Sequence, residues 1–125
     1  MHLGRRPGFT LTELLIVMLI IGVLAGIGIA HYTTVKDKAY VATMSADLHN
    51  LATAEESYNT VNQGYSFSLA AINFVPSPLV TATITDVTTT GWAATVTHSA
   101  TSITCRVGTG ADSIPGVGDG VITCQ

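Results

Sequence analysis

Charge is scarce in this chain. Lys, Arg, Asp and Glu make up 10% of its 125 residues, against roughly 25% in ordinary soluble domains. Five basic residues stand against eight acidic ones, a net charge of −3. Two of the five are Arg5 and Arg6; Lys36, Lys38 and Arg106 are too few and too scattered to build a basic patch. General nucleic-acid binding, which rests on neutralising many phosphates, is therefore not expected. Proline is absent from Gly8 to Val75, so no residue there forces a helix to break. Only two cysteines occur, with neither a CxxC pair nor a nearby pair of histidines, which argues against a zinc site. His31, His49 and His98 do not cluster, and no nucleophile stands beside a base. The chain is read as no enzyme and as needing no cofactor.

What the sequence has in excess is apolar length. Leu14 to Ala30 is an unbroken apolar run, with Glu13 at its edge and Arg5-Arg6 upstream. At about 1.5 Å per helical residue, the run and its flanks approach the roughly 30 Å of a hydrocarbon core. A carboxylate held at membrane depth costs roughly 2.5–3.5 kcal/mol, so Glu13 needs a reason. An ordinary secretory signal peptide, cut near Gly28 or Ala30, would have an apolar stretch of roughly 7–15 residues and no use for Glu13. A twin-arginine export signal fits less well still, because Arg5-Arg6 lacks the rest of that pattern. The remaining reading cuts the chain between Gly8 and Phe9, removing a basic cytoplasmic tail and leaving the apolar helix on the protein.

The string Arg5-Arg6-Pro7-Gly8-Phe9-Thr10-Leu11-Thr12-Glu13-Leu14 resembles the class III signal of type IV prepilins, over about Arg5 to Tyr32. The resemblance implies cleavage after Gly8 by a prepilin peptidase, N-methylation of Phe9, and Glu13 as the acid of the assembly motif. Ala30 stands where many relatives carry a helix-kinking proline. Cleavage would place an α-ammonium on Phe9, and in a bundle the Glu13 carboxylate of one subunit would meet the Phe9 ammonium of a neighbour. Two charges paired in a dry interior offset costs that a lone charge could not.

The resemblance also implies a homopolymer whose helices form the filament core. The partners implied are the peptidase, an assembly platform protein and ATPases. The precursor would span the inner membrane once, and the assembled filament would be extracellular. A pseudopilin of a type II secretion system is the nearest alternative. A monomeric membrane-anchored or secreted binding module, with the helix as a mere anchor, is the alternative of another class.

From Val41 the apolar positions Met44, Leu48, Leu51, Ala54, Tyr58 and Val61 recur at three- and four-residue steps. This is one stripe of an amphipathic helix, with Asp47, His49, Asn50, Glu55 and Glu56 mostly off it; Glu55 and Glu56 read as a solvated face. The expected organisation is a leader over 1–8, one helix over 9–63 and a β-sheet head over 64–125. The helix is apolar over 9–31, amphipathic over 32–63, about 80 Å long and stopped by Gly64. Gly22, Gly26 and Gly28 let helices pack closely, let the helix stretch locally on assembly, or are simply tolerated.

After a loop from Tyr65 to Pro78, strands are expected at Leu79 to Asp86, Trp92 to Thr97, Ser102 to Val107 and Val121 to Cys124. Thr88 to Gly91 and His98 to Thr101 read as turns. Threonine and valine suit a half-buried pleated surface, so the fold class is α+β, a long amino-terminal helix packed on a small antiparallel sheet.

Cys105 and Cys124, both in the exported part, are expected to form a disulfide worth about 3 kcal/mol in the chain-entropy model. In the resembling family such a pair frames a surface loop, here Arg106 to Thr123. Asp112 and Asp119 lie in that loop among glycines. They are weak calcium candidates, since the spacing matches no EF-hand and turn chemistry explains them as well. Trp92 reads as core or sheet surface.

Overall fold

A computed structural model describes residues 8–110 and 118–125. Residues 1–7 of the expected leader, Asp112, and the centre of the 106–123 loop lie outside the described residues. One helix, α1 (Leu11–Asn62), precedes four strands, β1 (Val80–Val87), β2 (Trp92–His98), β3 (Thr104–Thr109) and β4 (Thr123–Cys124). The chain is thus α+β, with a single sheet in the order β1-β2-β3-β4 and every neighbouring pair antiparallel. By its internal contacts the chain divides into a unit ending at Val35 and a unit from Lys36 to Gln125.

The helix begins two residues later than the sequence suggested, because Thr10 caps it instead of joining it. It ends at Asn62. The stop is Gln63, in the left-handed region at φ 56°, with its N–H donating to the Asn59 carbonyl at 2.8 Å. Gly64, expected in that role, does not take it. A non-glycine there costs about 1–2 kcal/mol, and the Asn62 amide offsets part of that by donating to the Tyr58 carbonyl at 3.0 Å. The first strand likewise starts at Val80 and not Leu79, whose φ of 65° cannot belong to a strand.

In the second unit, Met44, Leu48 and Leu51 from α1 share one core with Val80, Ala82 and Ile84 of β1. Trp92, Ala94 and Val96 of β2 and Cys105 and Val107 of β3 complete the strand side, and Ile72 and Phe74 of the connecting loop join them. Strand residues alternate between buried and exposed, as period-two geometry requires of a sheet with one covered face. Trp92 is fully buried, which settles it as core. Val61 is not part of the stripe; it is 80% exposed, and the last core-facing aromatic is Tyr58.

Both expected turns form. Thr88 N–H donates to the Gly91 carbonyl at 2.8 Å, and Thr101 N–H to the His98 carbonyl at 3.2 Å. His98 itself is buried, stacked on Tyr40 with ring centroids 4.3 Å apart, and its Nδ1 accepts from Ala100 N–H at 3.1 Å.

Cys105 and Cys124 face each other across β3 and β4 and are joined by a disulfide. Beyond it the base of the 106–123 loop is fastened twice. The Asp119 carboxylate accepts from Gly110 N–H at 2.7 Å, and Gly120 N–H donates to the Gly108 carbonyl at 2.9 Å. Gly110 has φ +59°, and a Cβ there would lie 2.0 Å from the Thr90 carbonyl oxygen. Only glycine fits where the exit of β3 crosses the β1–β2 turn.

Candidate assembly site at the helix start

Residues 9–13 combine an apolar surface with a single acid. Phe9 is 83% exposed, and the described side chains from Leu11 to Val35 are all exposed, most of them aliphatic. A Cβ at Gly22, Gly26 or Gly28 would meet nothing within 4 Å among the described residues beyond its own stretch of helix backbone. This part of α1 is long and apolar enough to cross a membrane. Such a surface is costly in water, at about 25 cal/mol per Å² of apolar area, and calls for lipid or other helices around it.

Glu13 sits in the first turn, and its carboxylate folds back on the start of its own helix. Oε2 accepts from Thr10 N–H at 2.8 Å and from the Thr10 hydroxyl at 2.9 Å. In return the Thr10 hydroxyl accepts from Glu13 N–H at 3.3 Å. The pair is a capping box: the otherwise orphaned amides of Thr10 and Glu13 are each satisfied by the other residue's side chain. An acid here also meets the positive end of the helix dipole. Thr10-x-x-Glu13 carries the sequence signature of such a box, so Glu13 has a use within its own chain besides any use between chains. The Gly8–Phe9 peptide lies outside the helix, immediately before the capping residue.

Two acids lie where their chemistry did not suggest. Glu55 is fully buried and Asp47 nearly so, although both were read as mostly off the apolar stripe and Glu55 as part of a solvated face. They lie two turns apart on the same side of α1 as Met44, Leu48 and Leu51. Each takes a backbone amide from the connecting loop: Asp47 accepts from Ser77 N–H and Ser77 Oγ, both at 2.8 Å, and Glu55 from Ser66 N–H at 3.1 Å. The two carboxylates hold the two ends of the loop to the helix. Glu56, by contrast, is exposed and accepts from the Tyr65 hydroxyl at 3.1 Å.

Burial pushes the Glu55 carboxyl above the usual range; the Ser66 amide pulls it back, and the neighbouring Glu56 charge raises it further. The other Glu55 oxygen, Oε1, is buried without a hydrogen-bond partner among the described residues. Between the ordinary glutamate pKa and the raised native one, the native state therefore binds more proton than the unfolded chain does. Stability from this group is greatest below the ordinary glutamate pKa and falls as pH rises through the raised native value. Glu55→Gln should flatten that dependence, narrowing the gap in melting temperature between pH 4 and pH 7. Calorimetry of the two proteins at both pH values checks it; an unchanged gap would contradict this account.

No three His, Cys, Asp or Glu side chains converge as metal ligands among the described residues. His31 and His49 are exposed on α1, and Asp119 serves the loop base.

The family model for the prokaryotic N-terminal methylation motif matches residues 4–29. The type IV major pilin protein PilA of Myxococcus xanthus (strain DK1622) is 36% identical over 72 residues, covering 58% of this chain and 33% of that protein. The chain thus matches about a third of the length of this curated relative. The motif on an exposed apolar helix start, a helix packed on an antiparallel sheet, and this relative together make the chain similar to type IV pilins.

Proposed function

We propose that this protein is the precursor of a type IV pilus subunit, held in the inner membrane by residues 9–31 until it polymerises. Prepilin peptidase cuts between Gly8 and Phe9 and methylates Phe9, which keeps its positive charge. Glu13 of each joining subunit then neutralises the Phe9 ammonium of a neighbour and sets the axial register. An assembly platform and its ATPase supply the work of extraction. The observation that carries this reading is the uncovered aliphatic surface of α1 with one acid at its start. A lone membrane anchor needs the surface but gains little from the acid beyond a cap worth about 1 kcal/mol.

A type II secretion pseudopilin would share all of this. The disulfide next to the carboxy-terminal loop favours the pilus.

Mass spectrometry of the mature amino terminus, with microscopy of filaments sheared from cells, tests the reading. The expected species begins with N-methyl-Phe9 and is present in the sheared filaments. A chain beginning at His31 would overturn the reading in favour of a secreted module.

A further inference from the structure

We infer that Gly64 to Phe67 form a proton-controlled flap over one end of the head's core, closed while the Glu55 carboxyl keeps its proton and open once it loses it. The connecting loop is fastened unequally to α1. At its far end Ser77 gives Asp47 two bonds, from its N–H and its Oγ, both at 2.8 Å. At its near end Ser66 N–H gives Glu55 one bond, at 3.1 Å, and the Tyr65 hydroxyl gives one to the exposed Glu56. No residue from Gly64 to Phe67 is buried. The stretch that follows holds itself: the Ala71 and Ile72 amides donate to the Ser68 carbonyl, Phe74 N–H donates to the Leu69 carbonyl, and Ile72 and Phe74 enter the core. The first four residues can therefore lift as a local opening that leaves the core packed.

Beneath the flap two buried polar atoms go unsatisfied. Glu55 Oε1 and Trp92 Nε1 have no hydrogen-bond partner among the described residues. They lie at the same end of the head. Tyr40 of α1 stacks on His98 of β2; from there to Glu55 the helix advances about 22 Å, and from His98 back to Trp92 the strand covers about 20 Å. Buried groups without a partner are rare, and water admitted by an open flap would bond both.

The proton decides because a neutral carboxyl tolerates burial and a charged one does not. Every charge near Glu55 points the same way. Glu56 on its own helix repels a second negative charge. The Tyr65 phenol, pushed up by burial and by its bond to Glu56, stays protonated. On the sheet side, Asp86 is exposed and accepts from Val87 N–H, Asp119 accepts from Gly110 N–H, and Arg106 is exposed on β3. Asp47 is two turns away and engaged with Ser77, and His98 stands at the opposite end. Among the described residues only the Ser66 amide favours the Glu55 charge, and burial outweighs it. The flap is thus closed below the raised native pKa and open above it.

The full-length protein in detergent is followed between about pH 4 and about pH 8. The readouts are deuterium exchange of peptides over residues 64–67, corrected for the intrinsic pH dependence of exchange, and acrylamide quenching of Trp92, the chain's one tryptophan. Both should rise about threefold or more with pH in the parent, while exchange around Ser77 stays level. Glu55→Gln should remain at the low-pH values throughout. Glu56→Gln, lacking the like charge, should keep the transition and move it to lower pH. A flat response in the parent by either readout, an equal rise in Glu55→Gln, or simultaneous opening at Ser77 would overturn the inference. If circular dichroism shows that Glu55→Gln does not fold, Glu56→Gln decides, and an unmoved midpoint overturns it.

Discussion

Glu13→Leu is expected to leave a cleaved protein in the membrane and to abolish filaments. Two terms act in the same direction. Removing a carboxylate from the edge of the apolar segment makes membrane residence more favourable, by up to about 3 kcal/mol if the group lies at membrane depth. In the polymer the same change leaves the Phe9 ammonium of a neighbour without its counter-charge, and breaking one side of a buried pair costs about 3–5 kcal/mol. At about 1.4 kcal/mol per tenfold, each subunit addition becomes weaker by well over a hundredfold. The lost reciprocal leg of the capping box is smaller than either term. Glu13→Gln separates them, because an amide still accepts from Thr10 but carries no charge. It should assemble as poorly as leucine. Immunoblots of membranes and of sheared material give the two populations, and filaments at parental yield from either variant as sole subunit would sink the ion-pair account.

Loss of the Cys105–Cys124 bridge should have the largest effect on the folded head. The sheet ends in a two-residue strand, β4, paired with β3 at only Cys105–Cys124 and Arg106–Thr123, with Thr104 and Gln125 exchanging backbone bonds at 2.9 and 3.0 Å beside it. So short a strand has little to hold it in place, and the disulfide ties it to a core position, since Cys105 is fully buried. Removing a native disulfide from a small exported domain costs about 2–5 kcal/mol, a large part of the about 5–15 kcal/mol that such domains possess. The Cys105→Ala/Cys124→Ala double variant should therefore melt roughly 10–30 °C below the parent. Thermal unfolding of the detergent-solubilised chain followed by circular dichroism measures this. A shift of a degree or two would mean that β4 contributes almost nothing to the cooperative unit.

How much of this was readable in the residues depends on where the relevant partner lies. The helix, its apolar half and its acid were legible because each is local: an unbroken run, an absent proline, one charge. Threonine and valine alternation located the strands to within a few residues, since a pleat with one buried face leaves that mark wherever it occurs. Asp47 and Glu55 were not legible. Their spacing from Met44, Leu48 and Leu51 puts them on the buried side, but chemistry argues for water. What outweighs it, Ser77 for one and Ser66 for the other, is supplied by a loop 30 and 11 residues further on. The Thr10–Glu13 box was visible as a four-residue pattern, yet the methylation motif accounted for the same glutamate and hid its second use. The helix end went astray for a milder reason: the favoured left-handed residue was next door, and the chain turned at Gln63.

The described side chains between Leu11 and Ile29 are all exposed, whereas the hydrophobic interior begins only around Val41. Genetic screens on this one helix should therefore fall into two non-overlapping phenotypes. Lesions in the first segment would spare the melting curve and show themselves only in the company of lipid or other copies. Lesions beyond it would announce themselves as degraded protein before any question of polymer could be asked.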